Sequence, residues 1–517
     1  MNSGFVGKIK NNRAQIGEGI YLLYFAIMIG VKACGFYEGQ IIFNLALAAG
    51  VGLIVLKMLI TEHSIKEYAV AAIFMLIAGV VYIHTGEKGL IVYFCMMLGI
   101  KQVRVLKVVK VGILVSGMII LFKIFTAAFG LIDDIYYPQE RPGIGLMFRH
   151  GLGYPHPNSL HMSVFLLSVL IIYYVSKRYT AGYVVLASVL TFVFNLFVFQ
   201  YSGSRTGMLV IVVYLLINLW FYFRKTPGLL EKIVCYISFP GACFIAIIMP
   251  FIVPAAIYDT IDQKIFTTRF SLAKYFWEHN SVSLFGIRLN NPDEWLSVYG
   301  IDMSQLYLFL QLGILAFVVI AALTMWFIHD SLKKSRMSEL AVFMGMLVMG
   351  IWEPHMYNLS FKNFVFMFMG VAIYEALRNN EDYSCDQLAV CDDHQVVDLS
   401  VLIKGVCLGF AAGICAGMIF YLVTTEPSAL YGSRENNESG RSLGMEAVYL
   451  TKDDVNELGS KGDIIVGYVD ETTPMYKYDS QIALMEYERR GLSAGILTCI
   501  VVSCGAVFLL NKKRKKQ

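Results

Sequence analysis

The stretch Tyr201-Ser-Gly-Ser-Arg-Thr-Gly207 is a short polar turn between two apolar runs, Val184–Phe199 and Met208–Phe221. Each run is close to the length that crosses the hydrocarbon core of a bilayer. Apolar runs joined by a short turn are typical of helical membrane proteins. On insertion scales, an arginine at the centre of a membrane helix costs about 2.5–3.5 kcal/mol, so Arg205 is a candidate functional residue. The alternative is that Arg205 only extends its guanidinium to the interface.

Small residues surround Arg205 and would let a ligand approach the backbone closely; Ser204 is the candidate contact among them. A guanidinium is well shaped for two-point contact with a phosphate group. This turn is therefore a candidate phosphate-binding element.

Composition extends the membrane assignment to the whole chain. Of 517 residues, 57% are hydrophobic and 15% are charged, as in polytopic helical membrane proteins. The apolar runs are continuous rather than alternating, which excludes a transmembrane β-barrel. Basic residues and then an apolar run open the chain without a clear small-residue cleavage site, which predicts a retained first helix.

The apolar runs predict an all-α polytopic membrane protein with about fourteen transmembrane helices, the fourth and eleventh of them short. They centre on Ile20–Ala33, Ile41–Leu59, Ala69–Ile83, Leu90–Ile100, Val109–Phe129, Leu160–Val175, Tyr183–Phe199, Met208–Phe221, Ile233–Val253, Leu306–Ile328, Met337–Ile351, Phe364–Ala376, Val401–Val423 and Leu492–Leu510.

Basic residues collect in alternate connections and predict the orientation, because cytoplasmic loops are enriched in lysine and arginine. Such clusters precede the first helix, follow the fourth, sixth, eighth and tenth, and end the chain at Lys512–Lys516. With fourteen helices all of these lie on one side. We therefore expect both termini in the cytoplasm.

The opposite connections nevertheless contain arginines, among them Arg141, Arg149, Arg205, Arg269 and Arg288. Positive charge where topology does not favour it indicates an anionic partner outside the membrane. The alternative is ordinary ion pairing with nearby acidic residues, namely Asp133, Asp134, Asp262 or Glu278.

Three regions follow from the pattern. Residues 1–378 form a body of about twelve helices, residues 379–400 an acidic cytoplasmic linker, and residues 401–517 a two-helix appendage. The appendage carries an extracytoplasmic loop, 425–490, in which Met445–Leu450 and Asp463–Val469 have strand character and Asp479–Arg490 looks helical. We expect a small α/β element there.

Neither the cysteines nor the histidines have the spacing of a metal site. The ten cysteines include no metal-spaced CxxC pair. His156 and His161 are five residues apart with Pro157 between them, which fits no standard helical ligand pair. We predict no metal.

Asp302 stands where a helix is expected to begin, at the outer mouth of the predicted bundle. A carboxylate in that place either caps the helix or serves as a general base, and the sequence leaves both readings open.

Several motifs occur in the order seen in one family. They are Arg141-Pro-Gly, Gly153-Tyr-Pro-His-Pro-Asn158, Ser202-Gly-Ser-Arg-Thr-Gly207, Arg269 with Trp277, Phe285-Gly286, Asp302-x-Ser-x-Leu-x-Leu and Leu312-Gly313. The set resembles the O-antigen polymerase/ligase family of bacterial membrane glycosyltransferases. The resemblance covers roughly residues 20–376 and leaves the appendage outside.

The resemblance implies a multi-pass enzyme of the bacterial plasma membrane that uses undecaprenyl-diphosphate-linked oligosaccharide and surrounding membrane lipid, with no cofactor and no nucleic acid. It also implies a metal-independent transfer that inverts the anomeric configuration of the donor sugar. A chain-length regulator is a further candidate partner. Aspartate at position 302, where the ligase branch often has histidine, favours a polymerase of capsule or exopolysaccharide type, and Glu353 resembles an acidic position of those polymerases.

Site assignments follow from the residues and the resemblance together. Asp302 would accept the acceptor hydroxyl's proton, while Arg205 and Arg269 would stabilise the departing diphosphate. The expected substrate-binding residues are Arg141, Arg149, His156, Asn158, Ser204 and Glu353.

Two other functions remain open at this point. One is a ligase that transfers finished glycan to a different acceptor. The other is an exporter of lipid-linked sugar without chemistry. Transporters typically have broken helix pairs in two halves and charges on both sides of the midplane, whereas here the polar signal lies on one face.

Overall fold

The structure is a computed structural model. It describes residues 3–141, 145–224, 226–292, 300–377, 399–426, 429–436, 442–450, 465–468, 474–478 and 480–514.

Helices dominate the described chain. The α-helices are α1 (Ser3–Ala33), α2 (Ile41–Ile60), α3 (Ile65–Thr85), α4 (Gly89–Leu98), α5 (Val105–Ala128), α6 (Pro157–Arg178), α7 (Ala181–Ser202), α8 (Arg205–Phe223), α9 (Leu229–Cys243), α10 (Met249–Ile252), α11 (Ala255–Ile261), α12 (Arg269–His279), α13 (Ser304–Leu306), α14 (Gly313–Lys333), α15 (Met337–Trp352), α16 (Val365–Leu377), α17 (Leu399–Val423) and α18 (Ser480–Arg514).

Short π-helical segments interrupt the regular helices at Phe244–Ile248, Asp262–Phe266 and Tyr307–Gln311. A π-helical turn inserts an extra residue and re-aims the side chains around it, and such turns are frequent at functional sites. Two of these three segments adjoin Arg269 and Asp302.

Eleven of the described helices are long and apolar enough to cross a membrane. Their outer faces carry large apolar side chains with high exposure, such as Ile41 (74% exposed) and Leu422 (82% exposed), which suit lipid better than water. Three shorter apolar helices, α4, α15 and α16, fall on the remaining predicted segments. The polytopic all-α class is therefore confirmed, whereas the count of fourteen and the cytoplasmic termini stay predictions.

The described strands form two sheets. β1 (Tyr136–Arg141) and β2 (Gly145–His150) pair antiparallel, with Tyr136 opposite His150. A four-stranded antiparallel sheet in the order β4-β3-β6-β5 contains β3 (Ala429–Asn436), β4 (Ser442–Leu450), β5 (Ile465–Tyr468) and β6 (Pro474–Tyr478). β4 and β5 fall on the two stretches with strand character, and the extracytoplasmic position of the sheet stays a prediction.

Contacts divide the chain into two units. The first unit comprises Met1–Ser116, Val169–Lys177 and Val213–Asp392, and the second comprises Gly117–Ser168, Arg178–Val212 and Asp393–Gln517. The predicted region boundaries at 378 and 401 stay a prediction, and most of the expected linker 379–400 lies outside the described residues.

In the first unit, α4 and α16 pack closely because Gly370 permits it. A Cβ on Gly370 would lie 2.1 Å from the carbonyl oxygen of Met97. Beside this crossing the Tyr93 ring stacks on Phe366 with centroids 4.9 Å apart. The core of this unit is built from such aromatic contacts between helices.

In the second unit, α17 and α18 pack along a row of small residues. A Cβ on Gly409 would lie 1.9 Å from Ser503 Oγ, and one on Gly413 would lie 2.7 Å from the carbonyl oxygen of Gly495. Small residues let membrane helices approach closely enough for dispersion contacts to hold them together, where no hydrophobic effect does so.

Gly409→Leu should lower the thermal midpoint of the purified protein in detergent. Overpacking a close contact costs about 1–3 kcal/mol. Gly505→Leu, on the partner helix α18, is the matched control because a Cβ there meets nothing within 4 Å. Size-exclusion chromatography after heating measures both variants. Equal midpoints for Gly409→Leu and Gly505→Leu would contradict the packing of this pair.

Candidate functional site

The first unit holds a buried arginine between two carboxylates. Arg269 Nε lies 3.6 Å from Asp302 Oδ2, and Arg269 NH2 donates to Glu353 Oε1 at 3.3 Å. The same guanidinium donates to the backbone carbonyls of Trp352 and Phe266. Three predicted site residues, Asp302, Arg269 and Glu353, are thus brought together although they lie far apart in sequence.

The backbone before α12 explains where Arg269 points. Thr267 and Thr268 both have positive φ, so the chain turns sharply at the end of the π-helical segment 262–266. Asp262 then accepts hydrogen bonds from the backbone N–H of Phe270, at 2.9 Å, and from Ser271. The alternative given above, an ion pair between Asp262 and an arginine, does not form among the described residues. Asp262 instead anchors the first turn of the helix that Arg269 begins.

Asp302 does not cap a helix. Met303 is the residue that flanks α13, and its side chain makes no capping bond. The Asp302 side chain keeps 33% of its surface exposed, whereas Arg269 keeps 9%. Desolvation by its surroundings raises the pKa of Asp302, and the Arg269 charge opposes that rise. An accessible carboxylate with a raised pKa is what a general base requires.

Two of the sequence motifs meet next to α13. Gly286 and Gly313 have φ near +88° and +91°, and a Cβ on Gly313 would lie 2.2 Å from the Gly286 nitrogen. Ile287 N donates to Gln311 O at 3.0 Å, and Leu315 N donates to Leu284 O at 3.0 Å. The Phe285-Gly286 and Leu312-Gly313 motifs therefore serve to join the loop to the helix after Asp302.

Glu87 is a residue that sequence reasoning missed. Tyr307 donates its hydroxyl to Glu87 Oε2 at 2.8 Å, and Gln311 Nε2 donates to Glu87 Oε1 at 2.7 Å, so Glu87 holds the π-helical turn after Asp302. Burial raises the pKa of Glu87, and these two hydrogen bonds oppose the rise. The only signal in the sequence was one acidic residue between two apolar segments.

Sequence reasoning also missed His355 and Lys362, which lie in the loop that Glu353 begins. Lys362 Nζ lies 3.1 Å from His355 Nε2, and His355 Nε2 lies 3.7 Å from Glu353 Oε2. Burial and the nearby Lys362 charge hold the pKa of His355 well below its usual range, so the neutral ring accepts from the lysine. Ser304 Oγ donates to Glu353 O at 2.6 Å and ties this loop to α13.

The second unit contains its own polar network. Arg149 Nε donates to Ser202 O at 2.7 Å, and Arg149 NH2 donates to Asn158 Oδ1 at 2.6 Å. His161 bonds Ser202 Oγ through Nδ1 at 2.9 Å and Asn195 Oδ1 through Nε2. Two of the predicted substrate-binding residues, Arg149 and Asn158, therefore hold α6 against the end of α7 through these hydrogen bonds.

This network fixes the turn 201–207. Gly203 ends α7 with φ +55°, and a Cβ on Gly207 would lie 2.4 Å from the His161 ring. Ser204 is buried, and its Oγ accepts from Gly207 N at 3.3 Å at the start of α8. Ser204 therefore has a local structural role, whatever it does towards a ligand.

Arg205 begins α8 with an exposed side chain. Within the described part of the chain, no salt bridge or hydrogen bond engages its guanidinium. Arg205 therefore forms no ordinary ion pair with an acidic residue in that part of the chain. Its side chain lies at the surface of the described structure.

The other predicted site residues are placed as follows. His156 Nδ1 accepts from Asn158 N at 3.1 Å, and burial together with the Arg149 charge lowers its pKa to about 4. His156 is therefore neutral at neutral pH. Arg141 ends β1, and its side chain lies outside the described residues. Arg205 and Arg269 belong to different units.

The three clustered histidines have separate partners. His150 Nδ1 lies 2.9 Å from Asp134 Oδ2, His156 bonds a backbone nitrogen, and His161 bonds Ser202 and Asn195. Among the described residues, no group of three or more histidine, cysteine or acidic side chains could hold a metal ion. That the site works without a metal ion stays a prediction.

No protein-family model matches the chain, and neither a curated protein nor a solved structure matches it.

Arg269→Met should destabilise the protein, because Asp302 and Glu353 would face each other without their shared cation. Removing one partner of a buried ion pair costs about 3–5 kcal/mol. Asp302 is one-third exposed, so we expect the lower end of that range. The double variant Arg269→Met/Glu353→Gln should recover most of the lost thermal midpoint. A single variant as stable as the wild type would refute this pairing.

Proposed function

We propose that the chain is a polysaccharide polymerase that joins undecaprenyl-diphosphate-linked oligosaccharide repeat units at the outer face of the bacterial plasma membrane. The observation that carries the proposal is the Asp302 carboxylate, which is partly exposed, has a raised pKa and lies 3.6 Å from the buried Arg269 guanidinium. A positioned base beside a fixed cation is what activation of a sugar hydroxyl requires.

The reaction is a displacement at the anomeric carbon of the donor sugar. The acceptor hydroxyl oxygen forms the new bond to that carbon while the bond from the carbon to the diphosphate oxygen breaks. Asp302 takes the hydroxyl proton, and undecaprenyl diphosphate leaves with the bonding electron pair. One displacement inverts the anomeric configuration, in line with the family that the sequence resembles.

Arg269 orients the base in this proposal rather than clamping the diphosphate. Its N–H groups are directed to two carboxylates and two backbone carbonyls, which leaves little for a ligand. Its fixed charge keeps the Asp302 carboxylate in one place and limits the rise of its pKa. The role expected from sequence therefore shifts from phosphate binding to positioning.

Arg205 is the stronger of the two arginines as a phosphate ligand. Its side chain is exposed on a turn of small residues, and a guanidinium can meet a diphosphate through two parallel hydrogen bonds. Cations preorganised where charge develops stabilise the transition state more than the ground state. We assign Arg205 to the departing diphosphate.

Arg205→Ala should abolish most polymer formation while leaving the thermal midpoint unchanged, because the side chain has no structural partner in the described chain. Loss of one transition-state donor typically costs about 10²–10³-fold in turnover. Arg205→Lys should recover little, because an ammonium cannot reproduce the fork. Arg288→Ala, another exposed arginine, is the matched control. Wild-type polymer yield from Arg205→Ala would remove Arg205 from the site.

The pH–rate profile tests Asp302. The base must be deprotonated, so turnover should fall as pH drops through its folded pKa. Because that pKa is raised, this acid limb should lie above the value of about 3.9 for an ordinary aspartate. Asp302→Asn should lose about 10²–10⁴-fold in turnover, and its pH–rate profile should lack the acid limb. An acid limb that persists in Asp302→Asn would assign the base to another residue.

A further inference from the structure

A cavity of about 700 Å³ lies within the second unit, beside the turn 201–207. Its wall is formed by the end of α7, by Met147 of β2, by Tyr421 near the end of α17 and by side chains between positions 484 and 492 of α18. Ligand sites in proteins typically measure about 300–1,000 Å³ and combine apolar walls with a few polar groups. This cavity has the size of such a site.

The cavity lies where three candidate membrane spans have an end. Tyr421 lines it at the end of the span Ser400–Val423, and Gly203 lines it directly after the span Ala181–Ser202. Tyr487, the first residue of a third span, lines it as well. Tyrosine is enriched where a membrane helix passes from hydrocarbon to headgroups. A cavity at this level is open to both parts of a lipid, so its ligand is an amphiphile of the membrane.

The α18 side of the cavity is apolar. Leu484, Met485 and Leu492 line it, and Phe199 faces it from α7. From Leu484 to Leu492 the helix rises about 12 Å, which makes this wall elongated. A hydrocarbon chain suits such a wall better than a sugar does, because sugar hydroxyls buried against it would lack partners.

The wall is held in place by contacts between α17 and α18. Tyr421 donates its hydroxyl to Glu488 O at 3.0 Å. Tyr487 donates its hydroxyl to Thr424 O at 2.9 Å, and its ring centroid lies 5.5 Å from that of Phe420. The cavity is therefore preformed, which lowers the cost of binding a ligand.

Gln200 is a polar residue of the wall whose amide has no partner. Its Oε1 is buried without a hydrogen bond, and no contact within the described part of the chain engages the amide. Because nothing fixes the amide, either of its terminal atoms can turn towards the cavity. A hydroxyl both donates and accepts, so a hydroxyl on the ligand satisfies the amide in either orientation.

Arg489 sets the charge of the cavity. It is buried, and its NH1 donates to Phe148 O at 3.2 Å. Its charge disfavours an ammonium group on the ligand and favours a phosphate. Glu488 lines the cavity too, but its side chain is exposed, so solvent and salt screen its charge more strongly.

We infer that this cavity binds one phospholipid with a hydroxylated headgroup, of the chemistry of phosphatidylglycerol. A hydrocarbon chain lies along Leu484, Met485 and Leu492, and a headgroup hydroxyl bonds the Gln200 amide. The lipid phosphate lies on the side of Arg489. The site uses none of the residues assigned to catalysis and does not depend on the proposed function.

The test is native mass spectrometry of the full-length protein, delipidated in lauryldimethylamine oxide and titrated with single lipids of matched chains. Wild type should bind one phosphatidylglycerol about 10-fold more tightly than phosphatidylcholine, because choline offers no donor to the amide. Phosphatidylethanolamine should also bind more weakly than phosphatidylglycerol, because its ammonium would approach Arg489.

Two variants separate the headgroup from the chain. Gln200→Leu should bind both lipids alike, with the affinity of wild type for phosphatidylcholine. Met485→Trp fills the cavity and should weaken binding of both lipids by about 10-fold, because apolar contact area is lost. Leu509→Trp is the matched control, because Leu509 is exposed on α18 and lies outside the cavity. Thermal midpoints without lipid report whether each variant is folded.

Equal affinity of the wild type for phosphatidylglycerol and phosphatidylcholine would overturn the headgroup assignment, and this comparison needs no variant. A phosphatidylglycerol preference that persists in Gln200→Leu would also overturn it. Wild-type lipid binding by a folded Met485→Trp would overturn the cavity as the chain site. Displacement of phosphatidylglycerol by an equal concentration of undecaprenyl diphosphate would assign the cavity to the glycan carrier, against this inference.

No glycan enters these titrations, so their outcome is separate from that of the proposed function. A protein that makes no polymer but selects phosphatidylglycerol through Gln200 would refute the function and leave the lipid site standing. A protein that makes polymer without any headgroup preference would do the reverse.

Discussion

The Arg269 guanidinium, shared between Asp302 and Glu353, is the interaction on which the candidate site depends. Asp302 lies in a loop, and Glu353 begins a different loop between α15 and α16, so without the arginine two carboxylates would repel each other. The arginine is itself held by carbonyls of Trp352 and Phe266. The free-energy cost of burying the Arg269 charge is offset by these two carboxylates and two backbone carbonyls.

From this centre the polar cluster extends in two directions. On one side, Glu353 leads to His355 and Lys362, and Ser304 ties the same loop to the helix that follows Asp302. On the other, the π-helical turn after Asp302 is fixed by Glu87 through Tyr307 and Gln311. Asp302 thus lies next to segments that are held by these polar contacts, which limits its motion.

Sequence alone was sufficient for the all-α membrane class, because apolar runs of spanning length leave few alternatives, whereas the number of spanning helices stays a prediction. It also singled out Asp302, Arg269 and Glu353, from motif order and from charge in unfavourable places. It could not show that Arg269 pairs with both carboxylates, since its partner Glu353 lies 84 residues away. The Lys362–His355 pair was invisible because a histidine and a lysine in a short loop form no periodic or spaced pattern.

The β1–β2 hairpin and the π-helical turns were missed for related reasons. The strand residues Tyr136–Arg141 are polar and contain a proline. Proline counts against a strand when secondary structure is predicted from sequence. A π-helical turn has no composition of its own and depends on tertiary contacts such as those of Glu87.

Incubation of the purified protein with undecaprenyl-diphosphate-linked oligosaccharide tests the central claim most directly. The products are separated on a gel by the number of repeat units. A ladder of products that differ by one repeat is the predicted result. A single addition to a foreign acceptor, or no product from a folded and donor-binding protein, would contradict the assignment as a polymerase.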